Sequence, residues 1–348
     1  MSLTIFTSER FADHLTPPGH PERVERFDVM LAVADEFRQN GGEVRAPRTA
    51  TEDELARVHD RNYVALVRET AGRAVALDPD TYTSPDSYDV ACLAAGAAVS
   101  AVEHVIASES GGGGSRRAFA LVRPPGHHAE RSRAMGFCLF NSIAVAAAHA
   151  RAQGLARVAI VDYDVHHGNG TQWSFYADPS VLFVSSHQHP YYPGTGAADE
   201  IGTGEGRGYT VNLPLAAGAT DADYAFIYRS VAWPILRQFK PELILLSAGF
   251  DAYEDDPLAG MRMTPSGFER LTASLAEVAE EVCGGRIVAV TEGGYDLDGL
   301  GACLRGAIRA LDSPVHTSPE DRQDQAPVPR GQATLAAVRP VLSSFWTI

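Results

Sequence analysis

Residues 158–169 read VAIVDYDVHHGN, an apolar run that is followed at once by acidic and imidazole side chains. The run Val158–Asp162 has the composition of a strand that is buried on both faces, as the strands of parallel sheets are. Similar runs recur along the chain and alternate with segments of helical periodicity, at residues 3–7, 118–122, 181–185, 209–213, 243–247 and 287–291. This alternation predicts an α/β protein in which a parallel sheet is covered by helices on both faces.

Start signals predict where some of the helices begin. Thr51 and Glu54 have the spacing of a capping box, and Thr264 followed by Pro265 has the pattern of an N-cap and a first helical residue. An alanine-rich helix is expected over residues 87–108. These helices fall between the predicted strands, as a layered α/β fold requires.

Two segments have the composition of surface loops. Gly111–Gly114 is a run of glycines that is expected to form a flexible loop, and residues 313–332 are rich in proline, acidic residues and glutamine. The second segment is expected to be extended or mobile and to precede the last helix. Because no internal repeat is visible, we expect residues 1–348 to form a single domain.

The composition is that of an ordinary globular protein, with 348 residues of which 45% are hydrophobic and 21% are charged. A net charge of −15 argues against a nucleic-acid-binding surface and would attract cationic ligands, although such a charge also serves solubility alone. The first residues lack the pattern of a secretory signal, and no stretch is expected to approach the roughly 20 apolar residues of a membrane span, so we expect a cytoplasmic protein. The cysteines are scattered without a CxxC pair and are expected to be buried thiols, at positions 92, 138, 283 and 303.

Polar and titratable residues cluster directly after the predicted strands. The clusters occupy residues 123–128, 162–169, 247–251 and 292–295. Because the carboxyl ends of parallel strands meet at one edge of an open sheet, the four clusters are expected to converge on one site. Any one of them alone would also fit an ordinary loop.

The second cluster contains candidate metal ligands. Asp162, Asp164 and His166 alternate along the chain, so they face the same way if the strand continues. Carboxylate oxygen and neutral imidazole suit zinc or ferrous iron, and three protein ligands leave positions open for water and substrate. The third ligand must come from elsewhere, and Asp251, at the end of a very apolar strand, is the best-placed acid.

The first and last clusters contain candidate acid, base and oxyanion-stabilising groups. His127 and His128 follow two prolines and a glycine, in a stiff loop that is expected to offer its imidazoles without burying them in a core. Asp162 and Asn169 are candidates to hold the two rings in fixed tautomers. Tyr295, after two glycines, could donate a hydrogen bond to a developing oxyanion, although an isolated Gly-Gly-Tyr more often packs its ring on a neighbouring helix.

Taken together, the motifs RPPGHHA, GFC, DYDVHHGNGTQ, PGTG, AGFDA, DPLAGMRMTP and EGGY resemble the histone deacetylase superfamily. The resemblance runs in order from Gly19 to about Leu311. Asn169 and the GNGTQ that contains it are more similar to class II members and to bacterial deacetylase-like amidohydrolases and acetylpolyamine amidohydrolases. The resemblance implies an arginase-deacetylase fold, with three layers and a central parallel sheet of about eight strands.

The resemblance also implies roles for individual residues. Asp164, His166 and Asp251 match the ligands of the active metal, usually Zn²⁺. His127 and His128 match the tandem histidines, and Tyr295 matches the tyrosine that polarises the acyl carbonyl. Gly136, Phe137 and Tyr192 match the walls of the substrate tunnel. Asp80 matches the rim acid that accepts hydrogen bonds from a peptide substrate, and Asp162 with Ser185 matches part of a K⁺ or Na⁺ site.

The expected activity is hydrolysis of the amide of N-acetyl-lysine, or of a related acyl-amine or peptide, by metal-activated water. Acetylpolyamine deacetylation is the first alternative, but the position after Asp256-Pro257 is Leu258 and lacks the acidic side chain that would select a cationic chain. An arginase-type hydrolase would need more metal ligands and would leave His127 and His128 without a role. A non-catalytic acyl-lysine-binding scaffold is the remaining alternative, and the oligomeric state is open.

Overall fold

In the computed structural model, which describes residues 3–107, 115–312 and 327–348, the described strands form one eight-stranded parallel sheet and a two-stranded hairpin. The strands are β1 (Leu3–Phe6), β2 (Glu43–Arg45), β3 (Val75–Ala76), β4 (Tyr82–Thr83), β5 (Arg117–Ala120), β6 (Val158–Asp162), β7 (Val181–Gln188), β8 (Thr210–Leu215), β9 (Leu243–Ala248) and β10 (Ile287–Thr291). The large sheet has the order β2-β1-β5-β10-β9-β6-β7-β8, and β3 pairs with β4. The parallel sheet that the apolar runs predict is confirmed.

The helices surround this sheet. They are α1 (Glu25–Gln39), α2 (Glu52–Leu55), α3 (Arg61–Arg68), α4 (Ser87–Ala107), α5 (Ser142–Ala152), α6 (Asn169–Phe175), α7 (Asp221–Ile227), α8 (Trp233–Phe239), α9 (Pro265–Cys283), α10 (Leu297–Asp312) and α11 (Pro329–Leu342). Helices α4 and α5 contact each other and the sheet, and α9 and α10 do the same. Every residue of β5, β6, β9 and β10 is buried, which requires cover on both faces of the sheet.

Strand prediction failed at one edge of the sheet. β6 and β10 have the predicted bounds, whereas β7 continues to Gln188, beyond the predicted end. The strand β2 was not predicted, because it is three residues long, lies at the edge and has two exposed charged residues, Glu43 and Arg45. Such a strand has no apolar run, although charge at an edge is a common defence against unwanted pairing.

The predicted helix starts are confirmed. Thr51 and Glu54 form a reciprocal capping box at α2, and Thr264 accepts a hydrogen bond from the Gly267 amide with Pro265 as the first residue of α9. The predicted alanine-rich helix is α4. The described cysteines are all buried and unpaired, as expected.

The expectation that no stretch has the length and composition of a membrane span is wrong. Helix α4 is long and apolar enough to cross a bilayer, but 72% of its most apolar window is buried inside the protein. It packs on α5, β1, β5 and β10, so its apolar character is accounted for by the core of the domain.

The loop expected at Gly111–Gly114 lies outside the described residues, as do residues 313–326 of the second predicted loop. Helix α11 begins at Pro329, so residues 329–332 are helical and that predicted loop ends too late. Proline favours the first turn of a helix, where its missing amide proton has no helical partner. The single domain remains a prediction.

Candidate active site

The loop after β6 brings two of the predicted ligands together, but by a different route from the one expected. Strand β6 ends at Asp162, so Asp164 and His166 do not lie on a continuing strand and the alternation argument was wrong. Instead, the Asp164 amide donates to Asp162 Oδ1 over 3.1 Å, and the His166 amide donates to Asp164 Oδ1 over 2.9 Å. These side-chain-to-backbone hydrogen bonds turn the chain, as is typical of aspartate in loops.

Asp251 lies three residues beyond the end of β9 and completes the cluster. His166 Nδ1 lies 3.3 Å from Asp164 Oδ1 and 3.0 Å from Asp251 Oδ2, and potential ligand atoms of the three residues lie within 4.8 Å of one another. The Val165 amide donates to Asp251 Oδ1 over 2.9 Å, and the Gly293 amide donates to Asp164 Oδ2 over 2.8 Å. The backbone therefore orients both carboxylates toward the same imidazole nitrogen.

The electrostatics of this cluster fit a cation. Burial and the charge of Asp164 raise the pKa of Asp251 to about 7. Burial would lower the pKa of His166, but the hydrogen bonds to Asp164 and Asp251 outweigh it and raise the pKa well above its ordinary value. Two buried carboxylates that compete for one proton are a costly arrangement unless a cation compensates them. The ligand set, two oxygens and one imidazole nitrogen, suits zinc or ferrous iron.

Among the residues that the structure describes, one other group has ligand atoms close enough to hold a metal ion: Glu54, Glu103 and His149. There, however, Arg48 already pairs with both carboxylates, at 2.6 Å from Glu54 and 2.7 Å from Glu103. The guanidinium takes the place that a cation would need. We therefore assign no metal to this second group.

The tandem histidines are buried, contrary to the expectation of an open loop. His127 is 2% exposed and His128 is 4% exposed. His127 Nδ1 lies 3.0 Å from Asp162 Oδ2, and His128 Nδ1 lies 2.7 Å from Asn169 Oδ1. Each ring is thus held by the partner that the sequence proposed for it. Glu292, which was not proposed, accepts hydrogen bonds from the Gly126 amide over 2.6 Å and from the His127 amide over 3.1 Å.

The two histidines have opposite electrostatic environments. Burial would lower the pKa of His127, but the charges of Asp164 and Asp162 outweigh it and raise the pKa to about 10. Burial, followed by the charges of His127 and His166, lowers the pKa of His128 well below its ordinary value. At neutral pH this environment favours a protonated His127 and a neutral His128. Such a pair offers one fixed positive charge and one proton acceptor.

A cavity of about 180 Å³ opens onto this cluster. Its lining includes the five residues that the sequence assigns to substrate binding, which are Asp80, Gly136, Phe137, Tyr192 and Leu258. His128, His166, Tyr191 and Tyr295 complete the lining. Tyr191 was not predicted. Its ring stacks on His166 with centroids 5.8 Å apart, and its hydroxyl donates to the Leu258 carbonyl over 2.9 Å.

Local backbone conformation shapes one wall of the cavity. Gly136 has a φ of +55°, and a Cβ there would collide with the His128 ring. Phe137 also has a positive φ, of 69°, and its amide donates to Thr81 Oγ1 over 3.1 Å. Glycine is thus required where the wall meets a catalytic candidate, because its φ is left-handed and there is no room for a side chain.

Tyr295 lines the cavity from the loop after β10. Its ring makes an edge contact with Phe137, with centroids 5.7 Å apart, and the Arg26 guanidinium lies 4.9 Å from its centroid. A Cβ at Gly293 would collide with Asp251, so glycine lets this loop approach the metal-ligand candidates. The arrangement differs from the common case of a tyrosine packed on the next helix, which the sequence left open.

A buried ionic network that the sequence did not predict supports this loop. Arg123 donates to both oxygens of Glu22 over 2.7 and 2.8 Å, and Arg26 donates to Glu22 over 3.0 Å. Arg26 also donates to the Gly294 carbonyl over 2.7 Å and to the Glu292 carbonyl over 2.5 Å. Arg123 begins the motif RPPGHHA, and Glu22 and Arg26 lie near the start of the family resemblance at Gly19, but only the fold reveals that they meet.

We expect Glu22→Gln to lower the free energy of unfolding by about 3–5 kcal/mol at pH 7, because the change leaves Arg26 and Arg123 buried without their carboxylate. Burial would raise the pKa of Glu22, but the charges of Arg123, His14 and Arg26 outweigh it and lower the pKa from 4.5 to about 2. Because the pKa is lowered on folding, this stabilisation is complete above about pH 4.5 and is lost as the pH falls toward 2. Urea unfolding at several pH values measures it.

Glu25→Gln, an exposed change three residues along the chain, is the matched control and is expected to change stability by about 0.5 kcal/mol or less. A difference between wild type and Glu22→Gln that grew as the pH fell would contradict the assignment.

Comparisons with known proteins identify the family to which this chain belongs. Residues 20–311 match the Histone deacetylase domain family. The chain therefore belongs to the histone deacetylase family, and this membership supports a deacetylase activity, which is a hydrolase activity, for the chain. The crystal structure of the HDA15 HD domain matches with a TM-score of 0.90 and 37% identity, covering 99% of this chain and 95% of that one. The arginase-deacetylase fold is confirmed.

Three relatives show the range of the family. A "Probable deacetylase" of Archaeoglobus fulgidus is 37% identical over 99% of this chain and 99% of its own length. "Histone deacetylase 10, chloroplastic" of Oryza sativa subsp. japonica is 40% identical over 84% of this chain and 70% of its own length. "Polyamine deacetylase HDAC10" of Homo sapiens is 41% identical over 83% of this chain but only 44% of its own length. Because these names differ in substrate and compartment, they leave both open for this chain.

Proposed function

We propose that this protein is a zinc-dependent deacetylase that hydrolyses the amide of N-acetyl-lysine, or of a related acyl-amine, to acetate and a free amine. The observation that carries the proposal is the composition of the cavity. His128, His166 and Tyr295 line one cavity, and His166 lies against both Asp164 and Asp251. A proton acceptor, a metal-ligand group and a phenol donor thus surround a space of about 180 Å³, which is the set of groups that amide hydrolysis needs.

Asp164, His166 and Asp251 would hold the metal. A zinc ion there, or ferrous iron, would act as a Lewis acid on the acyl oxygen and lower the pKa of a water molecule toward about 7. His128 would take the proton from the attacking water and return it to the leaving amine. His127, held by Asp162, would keep a positive charge beside the developing negative charge, and Asn169 would fix the His128 ring.

Tyr295 would complete the stabilisation of the oxyanion. Tyr295 is 8% exposed, and a hydrogen bond from a buried phenol to a developing charge has a larger effect than one in bulk water. The Phe137 and Tyr192 rings would enclose the apolar stem of an acyl-lysine. Tyr192 makes an edge contact with His128, with centroids 5.2 Å apart, so the stem would lead directly to the proton acceptor.

Acetylpolyamine deacetylation is the second candidate. It is favoured by the Asp80 carboxylate in the cavity lining and by the polyamine deacetylase among the relatives. Against it, Leu258 lines the cavity where an acidic side chain would select a cationic chain. Asp80 would serve a peptide equally well by accepting its backbone amides. We therefore place acyl-lysine first.

The deciding measurement is kcat/KM on an acetyl-lysine peptide, an acetylpolyamine and a longer-acyl lysine peptide, for protein loaded with zinc or with ferrous iron. We expect kcat/KM for the acetyl-lysine peptide to exceed that for the acetylpolyamine by at least about tenfold, a difference of about 1.4 kcal/mol in transition-state binding. Leu258→Glu should reduce this ratio and Leu258→Gln should not, because only the first adds a charge. A wild-type preference for the polyamine would reverse the order, and a fully zinc-loaded protein that hydrolyses none of the substrates would favour a binding scaffold.

A monovalent-cation site is a further proposal that follows from the family resemblance. Asp162 and Ser185, paired across β6 and β7, would contribute to a K⁺ or Na⁺ site that stabilises the loop after β6. Ser185 Oγ currently contacts His187 Nδ1 at 3.0 Å. A cytoplasmic location and an acylated peptide or polyamine as the partner also remain predictions.

A further inference from the structure

Asp256, which the proposed mechanism does not use, is a buried carboxylate between the two sides of the cavity. It is 5% exposed. Its Oδ2 accepts hydrogen bonds from the Tyr295 amide over 2.6 Å and from the Asp296 amide over 3.2 Å, and its Oδ1 accepts one from the Leu258 amide over 3.0 Å. One side chain thus fixes the backbone of two residues that line the cavity.

The Leu258 side of this connection continues into the metal-ligand group. The Leu258 carbonyl accepts from the Tyr191 hydroxyl, and the Tyr191 ring stacks on His166. Leu258 is therefore held at its amide by Asp256 and at its carbonyl by Tyr191. A substitution at Asp256 would therefore alter the position of both Tyr295, the oxyanion donor, and Leu258 in the cavity wall.

The Tyr295 side depends on this carboxylate because its own backbone is permissive. Gly293 and Gly294 precede Tyr295, and Gly294 has a φ of +120°, a conformation that glycine adopts readily. Because glycine imposes little conformational preference of its own, hydrogen bonds set the direction of the chain here: the Gly293 amide donates to Asp164, and the Gly294 carbonyl accepts from Arg26. For the Tyr295 amide, the corresponding contact is the short hydrogen bond to Asp256.

We propose that Asp256 is a positioning residue that fixes the backbone of Tyr295 relative to the backbone of Leu258, so that the oxyanion donor keeps its position relative to the cavity wall. The inference depends on the proposed function, because it assumes that the Tyr295 phenol contributes to turnover. It predicts two separable effects of one side chain. Loss of the Tyr295 contact should affect kcat, and loss of the Leu258 contact should affect KM.

Asp256→Asn is the informative change because it keeps the shape of the side chain. An amide has one acceptor oxygen, so its NH₂ group would face either the Tyr295 amide or the Leu258 amide and leave that donor unpaired. We expect kcat on an acetyl-lysine peptide to fall by about tenfold to a hundredfold, the cost of a misplacement near 1 Å. We expect KM to rise by about threefold to tenfold, through the loosened Leu258.

A double-mutant cycle with Tyr295→Phe separates positioning from general damage. In the Tyr295→Phe background, Asp256→Asn should change kcat by less than about twofold, because the group that Asp256 positions is gone. The rise in KM should persist there. A kcat loss of the same factor in both backgrounds would overturn the proposal, as would an undiminished kcat in the single variant.

Asp255→Asn, at the exposed neighbouring aspartate, is the matched control and should leave kcat and KM unchanged. Zinc content and the thermal unfolding midpoint of each variant are measured alongside. If Asp256→Asn does not fold, the same cycle is run with Asp256→Ser, which keeps one acceptor oxygen. If Tyr295→Phe itself keeps full turnover, the proposed role of Tyr295 fails; if only the Asp256 variants are unaffected, the positioning inference alone fails.

Discussion

Asp251→Ala is expected to yield protein that retains no zinc after purification and has no measurable deacetylase activity. The change removes one of three ligands and leaves Asp164 and His166, which are too few to hold zinc in a structural or catalytic geometry. It also removes the acceptor of the Val165 amide, which shapes the ligand loop. Elemental analysis of the purified variant measures the metal, and turnover of an acetyl-lysine peptide measures the activity.

Two companions make this result specific. Asp251→Asn keeps an oxygen that can accept from the Val165 amide, so its zinc loss would show that charge at this position is needed as well as shape. Glu103→Gln changes the other carboxylate cluster and should leave the zinc content at the wild-type level. If Asp251→Ala retained the metal and Glu103→Gln lost it, the metal would lie in the cluster of Glu54, Glu103 and His149, and our assignment would be refuted.

Tyr295→Phe is expected to keep its zinc and to lose about a hundredfold to a thousandfold in kcat, the usual cost of removing one oxyanion donor. The ring contacts with Phe137 and Arg26 are preserved by phenylalanine, so the change removes little besides the hydroxyl. Steady-state kinetics on an acetyl-lysine peptide test it, with zinc content measured on the same preparation.

The control for this change is Tyr209→Phe, which removes a phenol from a partly buried tyrosine that packs on Trp346. It should leave kcat unchanged. Unimpaired turnover by Tyr295→Phe would mean that the oxyanion is stabilised by other groups, and the mechanism would have to be revised at that step.

The parts of the fold that the sequence predicts are those with a local signal. β6 and β10 are continuous apolar runs, and the α2 and α9 starts have their caps within a few residues, so each pattern is complete in a short window. Asp164, His166 and Asp251 were brought together by the general rule that strand ends converge. That rule predicts the right neighbours even though strand continuation, the reason given for two of them, does not occur.

The parts that could not be predicted depend on contacts between distant residues. Arg26 meets Gly294 across 268 positions of sequence, and no composition or spacing near either residue indicates it. Burial of His127 and His128 was also missed, because a proline-rich loop usually lies at the surface, whereas this one lies against the start of α6, where the Thr171 amide donates to the His127 carbonyl. Asp256 and Tyr191 have ordinary loop signals, and only their partners in space make them part of the site.

The network of Glu22, Arg26 and Arg123 has a consequence for the order in which the protein is made. Arg26 donates to the Glu292 and Gly294 carbonyls, which leave the ribosome more than 260 residues later, so these two hydrogen bonds cannot form until almost the whole domain has been synthesised. Asp251 and Tyr295 are also supplied late. If the proposed site is correct, a nascent chain would therefore gain activity only after the loop that follows β10 has been synthesised.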